Sequence, residues 1–480
     1  MTDVNGSRFR KAIDGWWRDE VVRELSGLIA IPAVSPAYEP DWAAKGTLHH
    51  AVRHVREWIL GSGLLPGAHT EVIEFEGRTP LLLVDVPATS AAAEGGTVVL
   101  YGHLDKQPPL GDWSEGLGPW QPVLRDGRLY GRGAVDDGYA GYAAVTALAA
   151  VRAAGGEHGR AVVLLETGEE SGSPDLPAYL EHLAGRLGDV ELVICLDSAG
   201  LDNRRLWLTT SLRGAVQATV TVRVLDHPQH SGIASGIVPS SFRILRSLLD
   251  RVEDAATGRV TVPEMHTPIP DARRAETELL AALQPGVAGR FPFAGGTRPM
   301  DGDDTELLLN NTWRPALSVI GAAGLPDPGV AGAVLRASTS LRLSFRLPPT
   351  VDPETARQAL VRTLTTGVPY GADVEVTDFM LVDGWNAAPR APWLTAALDE
   401  VSEQVFGAPC AALGVGGGIP FIEMLGRRYP SAQFVVTGAI DPDGNMHGID
   451  ESIDLAHARR VTEAIACLIA AHAERAGAPA

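Results

Sequence analysis

Thr97–Gly138, TVVLYGHLDKQPPLGDWSEGLGPWQPVLRDGRLYGRGAVDDG, is the stretch on which the fold of this chain turns. Thr97 to Tyr101 is a short, β-branched apolar run between glycines, the pattern of a strand buried on both faces. His103-Leu104-Asp105 follows at its carboxyl end. In an open α/β sheet that edge gathers ligands and catalytic groups, because the loops leaving the strands converge there. Three later runs repeat the arrangement: Ala161 to Glu166 before Glu169-Glu170, Glu191 to Leu196 before Asp197, and Gln433 to Thr437 before Asn445-Met446-His447. With Asp136 added, four strands bring two histidines and four or five carboxylates to one edge, a set suited to a pair of divalent cations.

Charge supports the pair. Catalytic zinc takes neutral imidazole and carboxylate oxygen, and two ions that share a substrate stand about 4 Å apart. If Asp136 bridges, His103 and Glu170 face different ions, and Asp197 and His447 complete the shells, then three carboxylates and one hydroxide balance four positive charges. Two acids remain. Asp105 is placed to accept a hydrogen bond from the ring of His103 and fix its tautomer, and Glu169 to move a proton from water to a leaving group.

The motifs His103-Leu104-Asp105, Gly131-Arg132-Gly133-Ala134-Val135-Asp136-Asp137, Glu169-Glu170-Ser171-Gly172-Ser173, Asp197, His230-Ser231-Gly232 and Gly444-Asn445-Met446-His447-Gly448 occur in an order and spacing that spans most of the chain. In this the sequence resembles the metallopeptidase family of aminoacylases, carboxypeptidase G and carnosine dipeptidases, and most of all its dipeptidase branch. The resemblance implies metal ligands His103, Asp136 as the bridge, Glu170, Asp197 and His447, with Glu169 as general base and acid. It also implies a cis peptide at Asp136-Asp137, a lid histidine at His230 that reaches a partner subunit's site and stabilises the oxyanion, and Arg346 as the holder of a substrate carboxylate. Two departures concern the substrate. Gly138 stands where the branch carries lysine, and Gly414-Val415-Gly416-Gly417-Gly418-Ile419-Pro420 stands where it reads Arg-Glu-Gly-Gly-Ser-Ile-Pro. The glycines there, Gly418 included, favour close approach of backbone to substrate and are not a phosphate loop, since neither lysine nor helix start follows at the required spacing.

The chain has 480 residues, 45% of them hydrophobic, which is ample for two domains. Lys plus Arg number 40 against 59 Asp plus Glu, a formal charge of -19 without a long basic run, so nucleic acid and anionic membrane are not expected partners. Cys195, Cys410 and Cys467 are far apart and sit among apolar residues, as reduced thiols of a cytoplasmic protein do. No signal peptide pattern opens the sequence, and no run of about 18 apolar residues could span a bilayer.

Ala12 to Ile29 and Leu48 to Leu60 carry helical periodicity, Val72 to Val86 gives two strands, Pro122 to Tyr130 a hairpin about Asp126-Gly127, and Ala140 to Ala154 a buried helix. Beyond Asp197 the pattern changes. Ala215 to Val224 and Leu341 to Leu347 alternate strictly, marking strands with one wet face, and Asp352-Pro353 opens a capped helix. Asp197 and His447 must meet in one site, so the segment between them is an insertion.

The expected fold is therefore α/β: a mainly parallel-sheet di-metal catalytic domain with an inserted α+β lid domain carrying an antiparallel sheet. Its parts are residues 1–212, the lid and dimerisation domain 213–384, and 385–480. Residues 263–311 are rich in Pro, Gly and charge and give no clear element.

The expected activity is hydrolysis of an amide bond in a small substrate, most directly a dipeptide, by a homodimer holding two divalent metal ions, zinc first, with manganese or cobalt as substitutes. The alternatives are an N-acyl amino acid deacylase or a carbamoyl hydrolase of biosynthesis, and, in another class, a repurposed metal-binding or amide-forming protein.

Overall fold

The structure, a computed structural model, describes residues 7–90 and 95–476. Its chain forms two compact units: Met1–Thr209 with Ala387–Ala412 and Ile419–Ala480, and Thr210–Asn386 with Leu413–Gly418.

The first unit is built on a six-stranded sheet, ordered His69–Ile73, Leu81–Val86, Ala161–Glu166, Thr97–His103, Val190–Cys195 and Gln433–Val436. The last four run parallel and the first two join antiparallel, so the sheet is mostly parallel. Every residue of Thr97–His103 and Ala161–Glu166 is buried, which is why these strands are continuously apolar rather than alternating. Helix Ala140–Ala153 is buried from Ala140 through Val151 and packs on the central strand and against helices Ser7–Trp16 and Leu455–Ala476. Its alanines let three neighbours approach at once. The first helical stretch starts at Ser7, earlier than its periodicity predicts, and runs through a π turn at Trp17–Val21 to Ile29. That wider turn carries Trp17 and Val21 into the core. Val123–Arg125 and Arg128–Tyr130 form the expected hairpin, with Asp126 and Gly127 both at positive φ, as a type I′ turn demands.

The second unit carries a four-stranded antiparallel sheet, ordered Ala316–Ala323, Ser338–Leu347, Gly214–Arg223 and Asp373–Val382. On Gly214–Arg223, Val216, Ala218, Val220 and Val222 are buried, while Gln217, Thr219 and Thr221 are only partly so. Helices Ser241–Leu249 and Pro353–Thr365 cover the apolar face. The second is capped by Asp352, whose carboxylate accepts from the Thr355 amide at 2.8 Å.

Two expectations are corrected. Leu413–Gly418, assigned from sequence to the catalytic part, groups with the inserted unit, because the Val415 carbonyl accepts from the Arg213 amide at 3.2 Å and Leu413 from Thr210 Oγ1 at 3.3 Å. The stretch 263–311 is not featureless: it holds helices Asp271–Leu283 and Asp304–Thr312, which pack together.

Candidate metal centre

Each strand of the parallel sheet ends by delivering a metal-type ligand within the first unit. His103 is the last residue of its strand, and Glu169–Ser171 is a 3-10 turn just past Ala161–Glu166. Asp197 follows Val190–Cys195 by two residues. Asp136 lies in the turn before helix Ala140–Ala153, and its peptide bond to Asp137 is cis. His447, in the loop after Gln433–Val436, has φ of 62°, a left-handed conformation that a non-glycine residue adopts mainly where surrounding structure enforces it.

Asp136 is the centre of the cluster. Its Oδ1 lies 3.1 Å from His103 Nε2 and its Oδ2 2.9 Å from His447 Nε2, so each carboxylate oxygen has its own imidazole. His447 Nε2 is also 3.3 Å from Glu170 Oε2, and His103 Nε2 is 4.0 Å from Asp197 Oδ2. The donors form two trios that share His103: His103, Asp136 and Glu170, and His103, Glu169 and Asp197, with ligand atoms within 4.8 Å in each. Glu169, expected to handle protons, thus stands among the donors of the second trio.

The electrostatics fit a cation pair. Burial pushes the Asp197 carboxyl up to about 7, with the Asp136 charge adding to the effect. Burial and the Asp197 charge hold Glu169 well above the usual carboxylate range, and burial and Asp136 raise Glu170. Burial alone would raise Asp136 as well, but hydrogen bonds from His103 and His447 pull it below that range. Hydrogen bonds to Asp136 and Glu170 push His447 up to about 11. For His103, burial opposes the charged ring, yet hydrogen bonds to Asp105 and Asp136 keep its pKa well raised. So many acids crowded in a buried edge repel one another unless positive charge lies between them. Divalent cations held by these residues would supply it, favouring deprotonated carboxylates and neutral imidazoles. The residues present fit two such ions.

A surrounding set of groups holds the donors. The main-chain carbonyl of Asp105 is 3.1 Å from His103 Nδ1, and its carboxylate is 3.4 Å away. That carboxylate mainly accepts from the amides of Glu169 at 3.2 Å and Glu170 at 3.0 Å and from Ser35 Oγ at 2.6 Å, so it fixes the glutamate turn as well as the ring. Gln107 donates to Glu170 Oε2 at 2.5 Å. Arg132 and Glu451, both fully buried, pair at 2.5 Å. Arg132 also donates to the Gly448 carbonyl, and Glu451 accepts from the Val135 and Asp136 amides, tying the His447 loop to the Asp136 turn. Ser35, Gln107 and Glu451 were missed in the sequence, where only the Arg132 motif gave a signal. Gly138 also has a local cause: a Cβ there would lie 2.3 Å from the Gly133 carbonyl oxygen. The buried Lys106, just past Asp105, donates its ammonium to the carbonyls of Leu28 and Ile31 at 2.6 and 2.8 Å.

The other three expected site residues belong to the second unit. His230 is exposed and caps the short helix Ser231–Ala234, its Nδ1 accepting from the Gly232 amide. Arg346 sits in strand Ser338–Leu347, opposite Ala215. Gly418 lies beside Val382 and the Arg213 carbonyl.

The model of peptidase family M20/M25/M40 matches residues 99–471. This chain belongs to that family. Among M20 relatives, the cysteinylglycine-S-conjugate dipeptidase of Corynebacterium striatum is 27% identical over 446 residues, covering 91% of this chain and 92% of its own. The Beta-Ala-His dipeptidase of Mus musculus is 28% identical over 457 residues, with coverage of 91% and 89%. Human carnosine dipeptidase 1 shares the fold with a TM-score of 0.72 at 22% identity over 98% of this chain and 99% of that one. The M20 metallo-carboxypeptidase Sso-CP2 of Sulfolobus solfataricus does so with 0.78 at 18% identity, covering 95% and 100%. As an M20 member with this donor cluster, the chain is a metal-dependent hydrolase of the peptidase class. Among the described residues no helix is long and apolar enough to cross a membrane.

Proposed function

We propose that this M20 enzyme is a dipeptidase that works with two divalent cations, zinc by preference and manganese or cobalt as substitutes. The observation that carries the reading is Asp136, with His103 on one carboxylate oxygen and His447 on the other. His103, Asp136, Glu170, Asp197 and His447 would hold the ions, with Asp136 placed to serve both. The dipeptidase activities of the two curated relatives favour a dipeptide over other amides.

When bound, the cations polarise the scissile carbonyl and make water nucleophilic near neutral pH. Glu169 would take the proton from that water and hand it to the leaving amine. Asp105 holds the Glu169-Glu170 turn by its two amides, so the base keeps its aim. His230 stabilises the developing oxyanion, Arg346 takes the substrate carboxylate, and the Gly418 backbone borders it.

We further propose a cytoplasmic homodimer formed through the inserted unit, with no nucleic acid or membrane partner. Supporting the dimer, strand Ala316–Ala323 is a sheet edge with Val319 and Ile320 half exposed, and Ile233 and Ile237 are exposed nearby in sequence to His230. Bare apolar edges are normally covered.

Amine release from dipeptides, β-alanyl dipeptides and N-acyl amino acids, with zinc, manganese or cobalt added, tests the function. Glu169→Gln should lower turnover of the preferred dipeptide about 10²- to 10⁴-fold while two metals per chain are retained. Turnover indifferent to Glu169→Gln would remove the assigned base, and a preference for N-acyl amino acids would make the enzyme a deacylase.

A further inference from the structure

Arg213 links strands Trp207–Leu212 and Gly214–Arg223 and is 6% exposed. Its Nε and Nη1 are buried without a hydrogen-bond partner. Among the described residues no carboxylate pairs with it, and the charge that acts on it is another cation. Burial, and then Arg346, push its pKa down to about 10. The closeness of the two follows from register. Arg346 is paired with Ala215, two residues past Arg213, which sets Arg346 on the face of the sheet opposite its apolar core and close to the Arg213 link.

The surroundings are shaped for a guanidinium but do not neutralise it. A Cβ at Gly416 would stand 3.0 Å from Arg213 Nη2 and 3.3 Å from the main-chain oxygen and Oδ1 of Asn311, so the glycine is what leaves room there. Val415 is the direct backbone neighbour of Arg213. Where the resembling branch reads glutamate this chain has Val415, so the position supplies no carboxylate to Arg213. A buried charge without a partner is expensive, and replacing one with an apolar group of similar volume is commonly neutral or stabilising. Arg213 therefore calls for an anion from outside.

We propose that Arg213 and Arg346 together bind a dicarboxylate, so that the amino acid released by this enzyme is aspartate or glutamate. One guanidinium takes the α-carboxylate and the other the side-chain carboxylate. A single carboxylate would leave one of the two positive charges uncompensated, whereas two neutralise the pair. The inference rests on the dipeptidase reading above and specifies its substrate class.

The test compares kcat/KM of the zinc-loaded enzyme for Ala-Glu against Ala-Gln and for Ala-Asp against Ala-Asn. The wild type should favour each acid by at least about 10-fold, because a site built for a charged group loses that interaction with the neutral isostere. Arg213→Met should bring the two members of each pair within about threefold, chiefly through KM, and should leave the urea midpoint unchanged or raise it. Val415→Glu, which keeps Arg213 but gives it an internal partner, should erase the preference as well, and it serves if Arg213→Met does not fold. Titration of glutamate and glutamine into Glu169→Gln protein by calorimetry reads the site without turnover: glutamate should bind, and Arg213→Met should abolish it.

Equal kcat/KM for acid and amide in an active wild type would overturn the dicarboxylate site and leave the dipeptidase intact. No hydrolysis of any peptide, with Arg213-dependent glutamate binding retained, would sustain the site and overturn the peptidase. Loss of stability in Arg213→Met with the preference unchanged would reduce Arg213 to a structural residue and sink the proposal.

Discussion

Gly138 follows the paired aspartates and looked, in the sequence, like a substrate-related loss of lysine. Its surroundings give a steric cause. Its amide donates to the Gly133 carbonyl at 3.1 Å, and a side chain would collide with that oxygen and press on Leu28. Gly138→Ala should therefore cost about 2–3 kcal/mol, a value in the range of overpacked interiors, read as a lowered urea midpoint. An unchanged midpoint would mean the Gly133–Gly138 turn has slack. At this scale the donors His103, Asp136, Glu169, Glu170, Asp197 and His447 were legible because chemistry confines them to a few residue types at strand ends. The residues that hold them were not. Ser35 stands 70 positions from Asp105 and Glu451 more than 300 from Arg132, and nothing local to either serine or glutamate announces its partner.

Among the helices, legibility followed the nature of the buried face. Pro353–Thr365 shows Ala356, Ala359, Leu360 and Leu364 inward and was evident from periodicity. Asp271–Leu283 buries Arg273, Thr277 and Leu280, and Arg273 pairs with Glu276 at 2.7 Å, so an ion pair occupies the face where an apolar stripe would have been seen. The closing helix Leu455–Ala476 carries a pH-sensitive group. His457 is 2% exposed, its Nδ1 lacks a partner, and burial followed by the Arg460 charge pushes its pKa down to about 4. The unfolded chain binds that proton near 6.5, so between about pH 6.5 and 4 the unfolded state holds more protons and stability falls with acidification. The full effect is on the order of 3 kcal/mol. His457→Gln should lose less stability than the wild type between pH 7 and pH 5 in parallel urea titrations; equal losses would show that the ring already finds a stabilising partner when charged.

For the whole molecule, the proposed dimer puts the exposed edge strand Ala316–Ala323 under test. Ile320→Lys places a charge at the middle of that edge, where Ile320 is now 54% exposed, and such charges block edge association. The variant should run as a monomer in light scattering at concentrations where the wild type is a dimer. If His230 serves a partner subunit's site, kcat should fall in step with dissociation. A monomeric wild type, or a variant that stays dimeric, would move the interface elsewhere.

The mostly parallel sheet, the antiparallel insertion and the candidate donors were all legible in the sequence. Each is written in local pattern: continuous apolar runs for strands buried on both faces, alternation for strands with one wet face, and imidazoles and carboxylates just past strand ends. Tertiary contacts alone reveal that Leu413–Gly418 joins the inserted unit, that Asp105 holds the glutamate turn, and that among the described residues Arg213 stands beside Arg346 with no acid to meet it. The reason is physical: burial and pairing depend on which distant segments come together, and a charge is costly or cheap according to neighbours that sequence separation hides.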